Sequence, residues 1–403
     1  MNCRHCGNAS FIAFADLGSA PLSNALLTEA DAPEAFRPLK VAVCDRCFLA
    51  QLEEPTSPAD IFDSEYSYFS SYSRSWLDHA ERFAALAVDR FALGPDSQVV
   101  EVASNDGYLL QYFEARGIPV LGVEPSANTA EVAVGKGIPT LVDFFGRSFA
   151  EARLAGSADL IVGNNVFAHV PDINDFSAGL KAALKPRGAI SLEFPHLLRL
   201  IEQAQFDTIY HEHFSYLSLW TAERILAAAG LKVFDVERLP THGGSLRLFA
   251  GHADDDSKDR TAAVDAVIDE EEQAGLRERA VYDLFQPRVD RIRDAFRQFL
   301  NDQRGARIAG YGAAAKGNTL LNYCGVKGTE LIRFVADLSP HKQGRFLPGS
   351  HIPVVAPERI DEERPDFIII FPWNLRDEIV AQLDHARRWG AKFVTAIPEL
   401  EVW

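Results

Sequence analysis

The chain has 403 residues, 47% apolar and 24% charged, the make-up of an ordinary folded protein of about two to three domains. Its 40 Lys+Arg against 57 Asp+Glu give a formal charge of −17, a field that argues against nucleic acid or an anionic membrane as partner. No run of about 20 uncharged apolar residues occurs, and the opening Met1-Asn-Cys-Arg-His-Cys6 lacks the apolar stretch of a secretory signal, so neither a membrane span nor export is expected. An anionic small ligand stays admissible if a locally basic pocket receives it.

The first element is a metal module, expected over residues 1–70. Cys3-Arg-His-Cys6 and Cys44-Asp-Arg-Cys47 are two Cys-x-x-Cys pairs with 37 residues between them. Two intervening residues let a tight turn aim both thiolates at one tetrahedral Zn²⁺. Two such turns complete a four-thiolate shell with no open position, so the zinc is expected to be structural. A rubredoxin-like iron is the weaker alternative. His5 is expected at the surface and Cys324 in a core. Sparse cysteines of this kind fit a cytoplasmic protein. As a separate unit, the module should lie about 20 Å or more from any chemistry.

Residues 71–252 read as a doubly wound α/β unit. Ser75–Phe91 has the periodicity of an amphipathic helix, with Trp76, Phe83, Leu86 and Phe91 among its apolar positions. A buried strand then runs into the small-residue turn Glu101-Val-Ala-Ser-Asn-Asp-Gly107 and a helix at 108–116. Val120-Leu-Gly-Val-Glu124 is a second strand, ending in an acid 17 residues after Gly107. A turn that lets backbone approach a ligand, followed by an acid able to accept from ribose hydroxyls, points to an adenosine-containing ligand. Ala103 and Asn105 stand where a Gly-x-Gly-x-Gly turn has its first two glycines. The next strands, 140–142 and 158–163, lead to a loop carrying Asn164, Asn165 and His169. After a further strand at 189–194, segments 232–238 and 245–250 are expected to pair as an antiparallel hairpin.

Before that hairpin lies Phe206-Asp-Thr-Ile-Tyr-His-Glu-His-Phe-Ser-Tyr216. His211-Glu212-His213 lacks the four-residue helical spacing of a zincin, which argues against a metal here. In an extended chain His211 and His213 would share one face, with Tyr210 and Glu212 on the other. In a turn all four could converge. Histidine is the natural base near neutral pH, a nearby carboxylate supports its protonated form, and a phenol can polarise a carbonyl. A polar loop with satisfied core histidines is the bland alternative.

Residues 253–403 form the third expected unit. Asp254–Glu272 carries nine acids and two bases and reads as a solvated surface at a boundary. Arg307-Ile-Ala-Gly-Tyr-Gly-Ala-Ala-Ala-Lys-Gly317 is strand, turn and helix start, with Asp337 lying 27 residues after Gly310, so a dinucleotide site is one reading. In the other, Lys316 and the helix-start amides meet a pyrophosphate, and Arg247, beyond His242-Gly-Gly-Ser245, is a second anion-binding candidate.

Taken together, these motifs resemble the S-adenosylmethionine-dependent C-methyltransferases of nucleotide-linked deoxysugars, typified by the enzyme acting at C3 of a dTDP-3-amino-4-keto sugar in tetronitrose biosynthesis. The resemblance spans the paired cysteines, Pro21-Leu-Ser-Asn24, the turn at 101–107, Asn164–His169, Tyr210-His-Glu-His-Phe214, Thr241–Arg247 and Gly310–Gly317. It implies a zinc module, a class I methyltransferase domain of Rossmann-like fold and a second Rossmann-like domain. It also implies His213 as the base at the sugar carbon, Tyr210 and Glu212 assisting, and His169 in the same cavity. Glu101, Ala103, Asn105, Gly107, Glu124, Asn164 and Asn165 would border the methyl donor. Tyr72, or another of the three tyrosines of Tyr66-Ser-Tyr-Phe-Ser-Ser-Tyr72, would face the nucleotide sugar together with His242, Ser245, Arg247 and Lys316. An NAD-dependent nucleotide-sugar oxidoreductase or epimerase, and a non-catalytic zinc-ribbon adaptor, are the rival readings.

Overall fold

In the computed structural model, which describes residues 1–62, 66 and 68–403, the chain builds three sheets. The smallest starts in the cysteine module, where β1 (Phe11–Ala20), β2 (Arg37–Cys44) and β3 (Ala50–Leu52) pair antiparallel in that order. Its fourth strand arrives from far along the chain: β9 (Ser215–Tyr216) pairs with β3, Ala50 opposite Tyr216 and Gln51 opposite Ser215.

The central sheet contains β4 (Val99–Val102), β5 (Val120–Val123), β6 (Thr140–Leu141), β7 (Ala158–Asn164) and β8 (Leu184–Pro195), parallel in the order β8-β7-β4-β5-β6. The expected hairpin, β10 (Leu231–Leu239) and β11 (Ser245–His252), completes it antiparallel, with β11 against β8. The chain leaves β4 to one side for β5 and to the other for β7, so their carboxyl ends open a crevice where such sheets bind ligands.

The third sheet repeats this logic. β12 (Ile308–Tyr311), β13 (Val335–Ala336), β14 (Val354–Val355), β15 (Phe367–Ile370) and β16 (Lys392–Thr395) run parallel in the order β14-β13-β12-β15-β16, and β17 (Glu401–Val402) closes it antiparallel. The cysteine module wedges between the two larger units. Phe14 on β1 stacks on Phe285 with centroids 4.4 Å apart, in the core of the third unit. Cys3, Cys44, Cys47 and Leu49 pack instead in the core of the central sheet. No helix among the described residues is long and apolar enough to cross a membrane.

Four expectations change. The helix at Arg74–Phe91, capped by Ser73 accepting from the Trp76 N–H, buries Trp76, His79 and Phe83 but leaves Leu86 exposed. The acidic stretch is not simply solvated. Its helix, Ala262–Gln273, packs on β10, and Glu271 is buried, accepting from His196 at 2.7 Å and from the N–H groups of Leu219 and Trp220 at 2.6 and 3.0 Å. There the acid caps a helix start, where negative charge is favoured.

Arg247 is not among the residues that line the central cavity. Its cross-strand neighbours are Glu193 on β8 and Glu237 on β10, and its guanidinium donates to them at 2.8 and 3.1 Å while lying over the Phe83 ring. Burial alone would raise Glu193, but His79, Arg247 and Thr241 hold it at about 2. Ser245, likewise expected at the substrate, bonds back to the Thr241 carbonyl at 3.0 Å. Both side chains are used up inside the sheet. Arg247→Ala should leave Glu193 buried and under-paired, at a cost of about 3–5 kcal/mol in urea denaturation. A substrate-binding role would instead raise KM at an unchanged midpoint.

Candidate active site and metal centre

The two cysteine knuckles share one turn. Gly7 N–H donates to the Cys3 carbonyl and Phe48 N–H to the Cys44 carbonyl, both at 2.9 Å, and the residue after each second cysteine, Gly7 or Phe48, has positive φ (71° and 52°). These turns gather the four sulfurs within 4.8 Å of one another, with Cys3–Cys47 at 3.5 Å and Cys6–Cys44 at 3.6 Å. A Zn–S bond of about 2.3 Å sets a tetrahedral edge of about 3.8 Å, so the cluster fits zinc. The Asn8 amide donates to the Cys44 sulfur at 3.6 Å, while His5 turns to Asn174 at 2.8 Å and is no ligand.

The carboxyl ends of β4, β5 and β7 open into a cavity of about 1200 Å³, whose opposite wall comes from the third unit and includes Ala314, Ala315, Lys316 and Lys342. That volume exceeds the usual single-ligand pocket of about 300–1,000 Å³. On the central-sheet side, Ala103, Asn105 and Gly107 alternate at φ 56°, 50° and 75°. The departures from glycine therefore keep the glycine geometry, at roughly 1–2 kcal/mol for an ordinary L-residue. Asn105 adds something glycine cannot: its carboxamide accepts from Ser70 N–H at 2.9 Å and donates to the Tyr68 carbonyl at 3.1 Å, lacing that segment across the crevice. Glu124 closes the turn by accepting from the N–H groups of Asn105 and Ser126, each at 2.9 Å. Asn164 and Asn165 line the cavity, and among the described residues no protein donor meets either buried carboxamide oxygen. Glu101 lies behind this wall, fully buried, its carboxyl pushed well above the usual range by burial.

The Tyr210–His213 segment is a turn, with His213 N–H donating to the Tyr210 carbonyl at 3.0 Å. Tyr210, Glu212 and His213 line the cavity, whereas His211 turns away and donates to the Pro38 carbonyl on β2 at 3.2 Å. His213 Nδ1 sits 2.7 Å from the Thr208 carbonyl. A carbonyl only accepts, so Nδ1 carries the proton and Nε2 keeps the lone pair. The Tyr210 ring lies 4.0 Å from that of His213, and His169 meets it edge-on at 4.6 Å. Burial, with His169 beside it, pushes His213 well below the usual imidazole range. Burial and His242 bring His169 to about 4. Both rings are neutral at pH 7. Glu212 moves the other way, lifted by burial to about 7 even though it accepts from the Asn24 amide at 2.5 Å and the Tyr66 hydroxyl at 3.3 Å.

On the opposite wall, Lys316 donates to Asn374 at 2.8 Å and lies 4.5 Å from the Trp373 ring centre, and burial lowers it to about 8. Asp207 faces this group and accepts from Trp373 Nε1 at 2.7 Å. His242 also lines the cavity, with Trp76 edge-on at 5.2 Å. Tyr72 does not: the 3₁₀ turn Ser70–Tyr72 leaves its ring 48% exposed, with its hydroxyl on His341 at 3.0 Å. Tyr66 and Tyr68 of the same stretch line the cavity instead, and Ser67 lies outside the described residues. Sequence reasoning missed Trp76, His79, Tyr108 and Lys342 as residues lining the cavity. The Trp76/His79 pair, three residues apart on a helix, was the available signal. In the Gly310 turn, a Cβ at Gly310, Gly312 or Gly317 would come within 2.5, 2.6 or 2.8 Å of Phe371 or Pro372, so packing of the chain itself accounts for these glycines without a dinucleotide.

The comparisons agree along the length of the chain. Residues 3–62 match a zinc binding domain, 76–236 a methyltransferase domain and 240–398 a C-methyltransferase C-terminal domain. C-methyltransferase NovU of Streptomyces niveus is 37% identical over 99% of this chain and 96% of that protein. The chain belongs to the S-adenosylmethionine-dependent C-methyltransferases. Ubiquinone biosynthesis O-methyltransferase of Rhodopseudomonas palustris (strain BisA53) is 28% identical over 34% of the chain and 64% of that protein. Among solved structures, 1,6-didemethyltoxoflavin-N1-methyltransferase of Burkholderia thailandensis aligns with 53% of the chain and 96% of its own, at 18% identity and a TM-score of 0.40. The enzyme uses S-adenosylmethionine and has a zinc-binding module, in which Cys3, Cys6, Cys44 and Cys47 are the residues that would hold the metal.

The zinc is not remote from the cavity. Arg4, inside the first knuckle, donates to the carbonyl of Leu52 at 2.9 Å and to that of Phe214, the residue after His213. The expected separation of about 20 Å assumed independent domains, but β9 belongs to the zinc module's sheet. Elemental analysis should find one zinc per chain, and Cys44→Ser should lose it, with methyl transfer falling in step with metal content.

Proposed function

We propose that this C-methyltransferase methylates a sugar carbon, C3, of a nucleoside-diphosphate-linked 4-keto-deoxysugar, with dTDP as the nucleotide, and that it works in the cytoplasm. The observation carrying this reading is a single cavity that joins three things: the Glu124 turn, the neutral His213 beside Glu212, and two lysines on the facing wall. S-adenosylmethionine, when bound, supplies the methyl group as an electrophile. Glu124, with the carboxamides of Asn105, Asn164 and Asn165, would hold its polar groups. Lys316, Lys342 and the start of the helix Ala315–Tyr323 would take the pyrophosphate, the locally basic pocket that the overall charge requires.

A hydrogen next to a ketone becomes acidic enough for imidazole only when the enolate is stabilised as it forms. His213 Nε2, unprotonated, removes that proton, and the Thr208 carbonyl on Nδ1–H supports the cation that results. Tyr210, whose phenol burial keeps protonated, and the neutral His169 offer donors to the enolate oxygen. Glu212 would stabilise the imidazolium. Packing of Phe371 and Pro372 against the Gly310 turn speaks against the oxidoreductase reading.

His213→Asn should leave S-adenosylmethionine binding intact while methyl transfer drops about 10²–10⁴-fold. Deuterium exchange into the sugar carbon should vanish with it. Near-wild-type turnover would move the base to another residue, His169 being the next candidate. The pH profile is a separate test. In the free enzyme Glu212 ionises above about 7 and Lys316 loses its charge above about 8. A plot of kcat/KM should therefore rise through about 7 and fall above about 8, and Lys316→Met should remove the alkaline fall.

A further inference from the structure

Asn24 lies in the segment Pro21-Leu-Ser-Asn24 between β1 and β2, far in sequence from the Tyr210–His213 turn. It nevertheless lines the central cavity. Its side-chain amide donates to Glu212 Oε1 at 2.5 Å, while the Tyr66 hydroxyl reaches the other oxygen, Oε2, at 3.3 Å. Behind it, Ser23 is 5% exposed and its carbonyl accepts from Asn318 of the third unit, so the loop is anchored on the side away from Glu212. We propose that Asn24 is a positioning residue of the active site: the zinc module delivers its amide to hold the Glu212 carboxylate in place at the cavity that His213 also lines.

The chemistry favours this over a packing role. A buried carboxylate needs donors, and a carboxamide N–H₂ supplies one without a charge that would compete for the proton. Among the described residues, the groups acting on Glu212 are Asn24, Tyr66, Tyr210 on its own turn and Lys342 across the cavity. Burial keeps both phenols protonated and His213 neutral, so Lys342 is the one cation in this group, acting through its field rather than by a bond. Among the described residues, the Asn24 contact, 0.8 Å shorter than that of Tyr66 by the difference of 3.3 and 2.5 Å, is then the shorter of the two side-chain hydrogen bonds to the carboxylate. Removing it takes away a stabiliser of the ionised form, so Glu212 should need a higher pH to ionise.

This inference rests on the proposed role of Glu212, and its test separates the two. The zinc-loaded full-length enzyme is titrated by infrared difference spectroscopy, with the Glu212 carboxyl band assigned by its loss in Glu212→Gln. The wild-type midpoint near 7 should move up by about one unit in Asn24→Ala, the size expected for one hydrogen bond to a charged group. With a dTDP-linked 4-keto-6-deoxyhexose as probe, the acid limb of kcat/KM should shift by the same amount. The double variant Asn24→Ala/Glu212→Gln should be no slower than Glu212→Gln alone. Zinc content and the urea midpoint check folding, and Asn24→Ser is read in place of Asn24→Ala if the latter loses metal. An unmoved band and limb, with Glu212→Gln impaired, overturns the inference alone. Wild-type turnover by Glu212→Gln overturns the proposed chemistry at that carboxyl and the inference with it.

Discussion

The pairing of β9 with β3 is the contact on which the site depends. A two-residue strand has no stability of its own, so Ser215 and Tyr216 draw on the edge that the zinc module's sheet offers them. Leu52 N–H and Arg4 both bond the Phe214 carbonyl, and His211 donates to Pro38 on the adjacent strand. The turn carrying Tyr210, Glu212 and His213 is thus held from both ends by a module more than 150 residues earlier in the chain. A closed four-thiolate site would shape the template against which the Tyr210–His213 turn is folded.

The third unit completes the hold. Thr319 donates to the Ile209 carbonyl at 3.1 Å and Trp373 to Asp207, so the same turn is fixed from the opposite wall. The two Rossmann-like units also share a local device. Glu124 accepts from the N–H of Asn105 and of Ser126, and Asp337 accepts from the N–H of Ala313 and of Ser339, two residues beyond itself in each case. In both, an acid ending the second strand closes the turn after the first. Such an acid is a feature of the turn before it is a ribose ligand, which is why the Gly310 motif imitates a dinucleotide fingerprint while its glycines pack against Phe371 and Pro372.

Burial sets the electrostatics of the cavity. Imidazoles are driven neutral, phenols stay protonated and Glu212 is brought to about 7, because each charged form loses water without gaining a full counter-ion. The Glu193–Arg247–His79 cluster nearby shows the opposite outcome: there the partners are complete and the carboxyl is held at about 2. The contrast separates a group kept near its titration point from one committed to structure.

Much of this was readable from residue order. The cysteine spacing, the strand–turn–acid units and the Tyr210–His213 run are local patterns, and local patterns carry metal ligation, β-strand burial and turn chemistry directly. Arg247 and Tyr72 were misplaced for the same reason that Asn24, Trp76 and Lys342 were overlooked. Their roles depend on which face of a strand or turn meets which neighbour, and those neighbours lie far away in sequence: Glu193 for Arg247, His341 for Tyr72, Glu212 for Asn24. The amino-acid sequence by itself determined the metal, the fold class and the chemical kinds of group present. Only the tertiary structure decided which charges are neutralised inside a sheet and which are left facing a ligand, because desolvation and pairing are set by contacts between segments that the chain brings together only on folding.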